Sequence, residues 1–195
     1  MSIHDSIIKQ QEAVYRADQD ARAAIRFIRK NCSLGRIDSG RIFMAGASAG
    51  AITALNVAYL DQNEIPQSLV SDWGNLDGLD KYDYPGYSTR IKGIINLEGV
   101  LADTSYIDSG DAPILSFYGS EDQFYKGSEV LKYDIISPHA AFFGGKSIYK
   151  RAINSGIVAP PIVVYAGGNH GSVYDSAHIN ITITRMSDAL YSQIF

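Results

Sequence analysis

The chain has 195 residues, of which 46% are hydrophobic and 19% charged, and carries a formal net charge of −4. One domain with its own core follows from that length, since about 70% of the surface exposed by the extended chain is buried at this size. The acidic balance argues against nucleic acid or an anionic membrane surface as partner, and the single cysteine, Cys32, excludes an internal disulfide or a thiolate metal cluster.

Taken in order, Asp5 to Lys30 predicts a helix, with an apolar stripe through Val14, Ala17, Ala21, Ala24, Ile25 and Ile28. Arg22, Arg26, Arg29 and Lys30 lie mainly off that stripe and predict a solvated basic face. Asp38-Ser39-Gly40 is turn chemistry, and it opens onto Arg41 to Leu60, RIFMAGASAGAITALNVAYL. There an apolar run, Ile42 to Ala45, meets Gly46-Ala47-Ser48-Ala49-Gly50 and then a stretch of helix formers, so the expectation is strand, sharp turn, helix. A serine at the tip of so cramped a turn requires small residues two before and two after it, the positions of Gly46 and Gly50.

Residues 61–90 then change character, becoming polar and rich in Gly, Pro and Asp, with Trp73, Tyr82, Tyr84 and Tyr87 among them. That is long for a connection, so this stretch is a candidate cap or substrate loop, with Trp73, Tyr84 and Tyr87 as candidate substrate-binding aromatics. Its acids, Asp72, Asp77, Asp80 and Asp83, lack the order of a calcium loop, so no metal is expected. Ile91 to Leu97, Pro113 to Tyr118 and Pro161 to Tyr165 are apolar runs suited to strands covered on both faces. A helix is expected around Ser147 to Asn154, closed by Gly156, and a last one over Val173 to Phe195. The alternation predicts an α/β fold with a mostly parallel sheet flanked by helices, residues 1–195 forming one domain.

A chemistry-bearing residue recurs after three of these runs: Ser48 after the first, Asp122 after the third, His170 after the fourth. A parallel sheet puts all strand C-terminal ends on one edge, so side chains far apart in sequence meet there. In that arrangement Ser48 is the nucleophile, His170 the general base and Asp122 the carboxylate that orients the imidazole. His4, His139 and His178 fit the base less well, since none directly follows a buried strand. For the acid, Glu98 is an alternative at the end of another strand, and Glu121 adjoins Asp122. The N–H of Ala49, at the start of the helix after Ser48, is the candidate oxyanion donor. Gly46 to Gly50 lacks the spacing of a dinucleotide-binding loop.

The helix AVYRADQDARAAIRFIRKN, the elbow RIFMAGASAGA, the stretch GDAPILSFYGSEDQFY and the loop YAGGNHG together resemble the α/β-hydrolase superfamily, in particular its bacterial carboxylesterases of the lipase and feruloyl or acetylxylan esterase kind. The resemblance implies hydrolysis of a small carboxylic ester without a cofactor, through Ser48, Asp122 and His170, on the C-terminal portion of an α/β-hydrolase fold. It also implies several strands and an HGGG-type oxyanion loop ahead of the helix with which this chain starts. Without them, the strand at 42–45 becomes an apolar sheet edge, and such an edge invites pairing. Two expectations follow: an esterase whose bare edge is covered by an N-terminal half or another copy of the chain, or a weak or inactive hydrolase-derived module that assembles through that edge. As to location, the residues themselves carry no signal peptide or membrane span, so the default is cytoplasmic, although a longer parent would take its own leader with it.

Overall fold

The computed structural model describes residues 3–65, 78–80, 83–123, 131–132 and 141–191. Helix α1 (Ile3–Lys30) and a single-turn helix α2 (Cys32–Gly35) lead to strand β1 (Phe43–Ala47) and helix α3 (Ala49–Tyr59). Strands β2 (Gly93–Leu97) and β3 (Ile114–Gly119) follow, then two short strands, β4 (Leu131–Lys132) and β5 (Ala141–Phe142). Helix α4 (Gly145–Asn154), strand β6 (Val163–Tyr165) and helix α5 (Ile179–Tyr191) complete the order.

Four strands form a parallel sheet in the order β1-β2-β3-β6, while β4 and β5 pair separately as an antiparallel ribbon. The register runs Ala45 to Ile95, Ile95 to Leu115 and Phe117 to Val163. Because successive side chains on a strand point to opposite faces, the sheet carries two cores. On one face Ile94 and Ile114 pack with Leu55 and Tyr59 of α3 and Ile148 and Ala152 of α4. On the other, Ile95, Leu97, Leu115 and Phe117 pack with Tyr165, Val173 and Ala189 of α5. Every residue of β2 is buried, which is why its sequence reads as an unbroken apolar run rather than an alternation. Each fully buried large side chain here contributes about 1.5–3 kcal/mol of transfer free energy.

Helix α1 departs from expectation. Its buried face runs through Tyr15, Asp18, Gln19, Arg22, Ile25 and Arg26, while Ala24 is exposed and Val14, Ala17, Ala21 and Ile28 are only half-buried. Arg22 and Arg26, expected on a solvated face, are 6% and 1% exposed. The physical reason lies in what guanidinium can donate. Arg22 holds Asp18 from one side and, through Nη2, the carbonyls of Asn56 and Leu60 at 3.1 and 2.8 Å, at the negative C-terminal end of α3. Arg26 donates to the Asp83 carbonyl at 2.8 Å and to Asp80 Oδ1 at 3.0 Å. Burial pushes the Asp18 carboxyl up to about 6, with the Arg22 guanidinium opposing.

The described parts of residues 61–90 pack on the domain. Asp61 and Glu64 form a capping box around a short turn, and Leu79 is buried with Tyr15 and Leu60. Helix α4 ends as read from the sequence, with Gly156 at φ +78 just past Ser155. Helix α5 begins at Ile179 rather than near Val173. Gly171, at φ +92, starts a separate turn over Ser172–Tyr174, and the Asp175 side chain then accepts the N–H groups of Ala177 and His178, the hydrogen bonding that opens a helix. The end of the expected helix, residues 192–195, lies outside the described residues. Among the described residues no strand pairs with the outer side of β1, and Ala45 in its middle is exposed. No described helix is long and apolar enough to cross a membrane.

Candidate active site

The hydrogen-bond ladder of the sheet continues past the strand ends and sets the site. Ser48 N–H donates to the Leu97 carbonyl at 2.9 Å, Glu98 N–H to the Phe117 carbonyl at 2.9 Å, and Ser120 N–H to the Tyr165 carbonyl at 2.9 Å. Three loops are thereby aligned side by side at one rim.

Ser48 sits between β1 and α3 at φ 50 and ψ −120, a strained backbone for a residue with a Cβ. Gly46 makes that turn feasible, because a Cβ there would overlap the carbonyl oxygen of Gly50. Gly50 differs from expectation: a Cβ on it would meet nothing within 4 Å, so its smallness is not demanded by the described surroundings. At the turn, Ser48 is half-buried and Ala49 exposed, with the Ala49 N–H at the opening of α3.

The acid and base loops are stitched to each other. Glu121 N–H donates to the Gly168 carbonyl at 2.8 Å, and Gly167 N–H to Ser120 Oγ at 2.8 Å. A Cβ on Gly119 would overlap the Gly168 carbonyl, so the two loops meet only because that residue is glycine. This close approach brings His170 Nδ1 to 2.8 Å from Asp122 Oδ2 and His170 Nε2 to 3.0 Å from Ser48 Oγ. Asp122 is fully buried, whereas the His170 side chain remains 18% exposed.

Among the rival acids, Glu121 is exposed. Glu98 is 3% exposed, and its Oε2 lies 3.9 Å from His170 Nδ1, beyond hydrogen-bond reach, while accepting the Gly171 N–H at 2.6 Å. Burial pushes the Glu98 carboxyl up. The Gly171 N–H and then His170 oppose that shift, while the Asp122 charge adds to it. Glu98, Asp122 and His170 each offer a ligand atom within 4.8 Å of the others, the one such group of three among the described residues. In this arrangement those atoms are engaged by the Asp122–His170 contact and the Gly171 N–H.

Of the other histidines, His178 sits just before α5 and is paired with Asp175 at 2.8 Å, its ring stacked on Tyr165, and His139 is outside the described residues. The two described aromatic candidates, Tyr84 and Tyr87, lie away from the site. Tyr84 packs against Phe27 of α1 at 5.7 Å between ring centroids, with Lys30 Nζ 4.3 Å over its ring, near the C-terminal end of α1. Tyr87 is exposed on the same segment, anchored where Arg29 donates to the carbonyls of Ser88 and Arg90. That segment feeds the start of β2, opposite the end where Ser48 lies. An aromatic ring finds favourable burial against any apolar helix flank, so a tyrosine-rich loop carries no address. Trp73 lies outside the described residues.

Two contributors had no advance signal beyond small polar residues near strand ends. Ser120 anchors the histidine loop, and Asn96 Oδ1 accepts the Gly99 N–H at 2.8 Å to shape the turn carrying Glu98.

Comparison with known proteins agrees with this architecture. Residues 8–102 match the BD-FAE family. Esterase 2 of Thermogutta terrifontis phosphorylated by paraoxon superposes with a TM-score of 0.64 at 18% identity, over 93% of this chain and 64% of that one. A truncated form of a carbohydrate esterase from gut microbiota superposes with a TM-score of 0.62 at 17% identity, over 91% of this chain and 68% of that one. The chain thus spans 64% of the length of the first of these esterases. No curated protein matches it. At such identities the likeness is one of fold. The parallel sheet, the backbone of the elbow and these matches show an α/β-hydrolase-type fold, of which residues 8–102 match the BD-FAE family.

Proposed function

We propose that the chain is a serine esterase acting on a small carboxylic ester. The observation that carries this reading is the continuous hydrogen-bonded line Asp122 Oδ2, His170 Nδ1, His170 Nε2, Ser48 Oγ, at 2.8 and 3.0 Å, starting from a serine on a strained elbow. In the resting tautomer Nδ1–H donates to Asp122, leaving the Nε2 lone pair to accept the Ser48 hydroxyl proton. Ser48 Oγ attacks the ester carbonyl carbon as its proton passes to Nε2, and the buried Asp122 carboxylate stabilises the imidazolium that forms. The carbonyl oxygen, now an oxyanion, receives the Ala49 N–H at the positive end of α3. Collapse breaks the ester C–O bond, and Nε2–H protonates the departing alcohol. Water, deprotonated by the same nitrogen, then hydrolyses the acyl-Ser48 ester and regenerates the enzyme. These steps call on no cofactor.

Support also comes from a neighbour of the same fold, an esterase phosphorylated by paraoxon. Incubation with an organophosphonate followed by peptide mass spectrometry should place one adduct on Ser48 and abolish turnover of short-chain p-nitrophenyl esters, and the Ser48→Ala variant should take no adduct and turn over no ester. A folded protein that leaves Ser48 unlabelled ends this reading.

A second reading has its own observation, the unpaired and partly apolar outer side of β1 with Ala45 exposed. On this reading the domain is a weakly active or inert assembly module, and the edge pairs with a second copy or a further segment of a longer chain. It predicts an oligomer by size exclusion and ester turnover equal to that of Ser48→Ala.

A further inference from the structure

Glu98 carries two costs that packing does not repay. Its backbone lies at φ +60, in the left-handed region that disfavours a residue with a Cβ. Its carboxyl is buried, and among the described residues Oε1 has no hydrogen-bond partner. The turn enforces this position: Asn96 Oδ1 holds the Gly99 N–H, Asn96 Nδ2 reaches Ser116 Oγ at 3.3 Å, and a Cβ on Gly99 would crowd Ala51. A structural residue here would be glycine or asparagine, which tolerate the left-handed conformation without burying a charge.

What Glu98 faces suggests its use. Its Oε2 takes the Gly171 N–H, the residue after His170, and the Val173 N–H also favours its charged form. The titratable groups around it are His170 and Asp122 from the two neighbouring loops and Tyr174 from the turn after Gly171, whose phenol burial and then Glu98 push up. Among the described residues its one basic partner within 4.0 Å is His170 Nδ1. A buried carboxylate so placed faces an opposite charge only when the imidazole is protonated, the state that the general base passes through in each half-reaction.

We propose that Glu98 is a positioning residue for the base: it clamps the histidine loop through the Gly171 N–H and faces the imidazole as a second negative charge beside Asp122, favouring the protonated ring. The proposal rests on the esterase reading for its catalytic consequence, but its physical content, coupling between two named groups, can be read without turnover.

Glu98→Gln keeps an acceptor for Gly171 and removes the charge. Removing an opposed charge from beside an imidazole lowers the pKa of the ring, so the His170 ring, followed by NMR, should titrate about one pH unit lower than in wild type. In steady-state assays the acid limb of kcat/KM should move down by the same amount, while at neutral pH kcat falls roughly three- to tenfold with KM unchanged, since Glu98 does not touch substrate. Wild-type protein offers a reading that needs no variant: the Glu98 carboxyl and the His170 ring should titrate as a coupled pair, each NMR curve bearing the inflection of the other. Identical ring titration in wild type and Glu98→Gln, or uncoupled curves in wild type, overturns the proposal and leaves Glu98 a purely structural clamp. Because the ring titration is equally readable in Ser48→Ala, failure of the esterase reading shows as an unlabelled serine and is told apart from failure of this one.

Discussion

Two regions of this molecule bury charge, and they do so to different ends. At the rim, Asp122, His170 and Glu98 cluster beside a half-buried serine, with hydrogen bonds directed along one line toward its hydroxyl. Under α1, Asp18, Arg22 and Arg26 are as deeply buried, yet the arginines' bonds fan out to Asn56, Leu60, Asp80 and Asp83, most of them to backbone carbonyls. Burial and charge alone therefore do not mark a site; the direction of the bonds does. A network that ends on carbonyls completes the fold, whereas one that ends on an accessible hydroxyl has chemistry to offer.

Variants should split the two regions cleanly. The largest effect is expected from Asp122→Asn, which keeps the shape of the rim but favours the wrong tautomer of His170; kcat should fall by about 10³–10⁴-fold with the melting temperature little changed, measured by ester turnover and calorimetry. Next, Arg26→Ala strips Asp80 and the Asp83 carbonyl of a fully buried donor. It should cost about 2–4 kcal/mol of stability by denaturant unfolding, while kcat/KM of the folded fraction stays within about twofold. A loss of kcat comparable to that of Asp122→Asn would show the two regions to be coupled and undo the contrast.

The smallest effect is one of pH. Asp18 has a folded-state pKa raised from 3.8 to about 6, so its proton stabilises the fold. Its contribution is fully present below about pH 4, the unfolded value, and is lost as the pH rises through 6. Wild-type stability should carry a falling component of about 2 kcal/mol over that window, measured by unfolding at each pH, and Asp18→Asn should lack it. A flat wild-type profile would mean that Arg22 outweighs burial and holds Asp18 ionised throughout.

Much of the rim was legible beforehand because its signals are local. A strained turn needs the small Gly46 beside its serine, and a residue directly after a buried strand must emerge at the strand's end, so Ser48, Asp122 and His170 could be named from neighbours a few positions away. The α1 network was not legible. A helical stripe is recognised by its apolar residues, and a guanidinium that satisfies carbonyls 34 and 38 residues away leaves no periodic mark. The tyrosines of 83–90 failed for a related reason, since burial of an aromatic depends on which flank lies opposite.

The amino-acid order by itself determined the alternation of strand and helix, the elbow at Ser48, and the set of carboxylates and histidines delivered to strand ends. Only the tertiary structure decided which of them meet: β3 lies between β2 and β6, so the loop of Asp122 adjoins that of His170 and takes its Nδ1, while Glu98 approaches from the next strand over and takes the Gly171 N–H rather than the ring. The physical reason is range. Backbone sterics and burial period act over a few residues, whereas hydrogen bonds spanning 48 and 122 residues exist only once strand order and loop contact have been settled by packing.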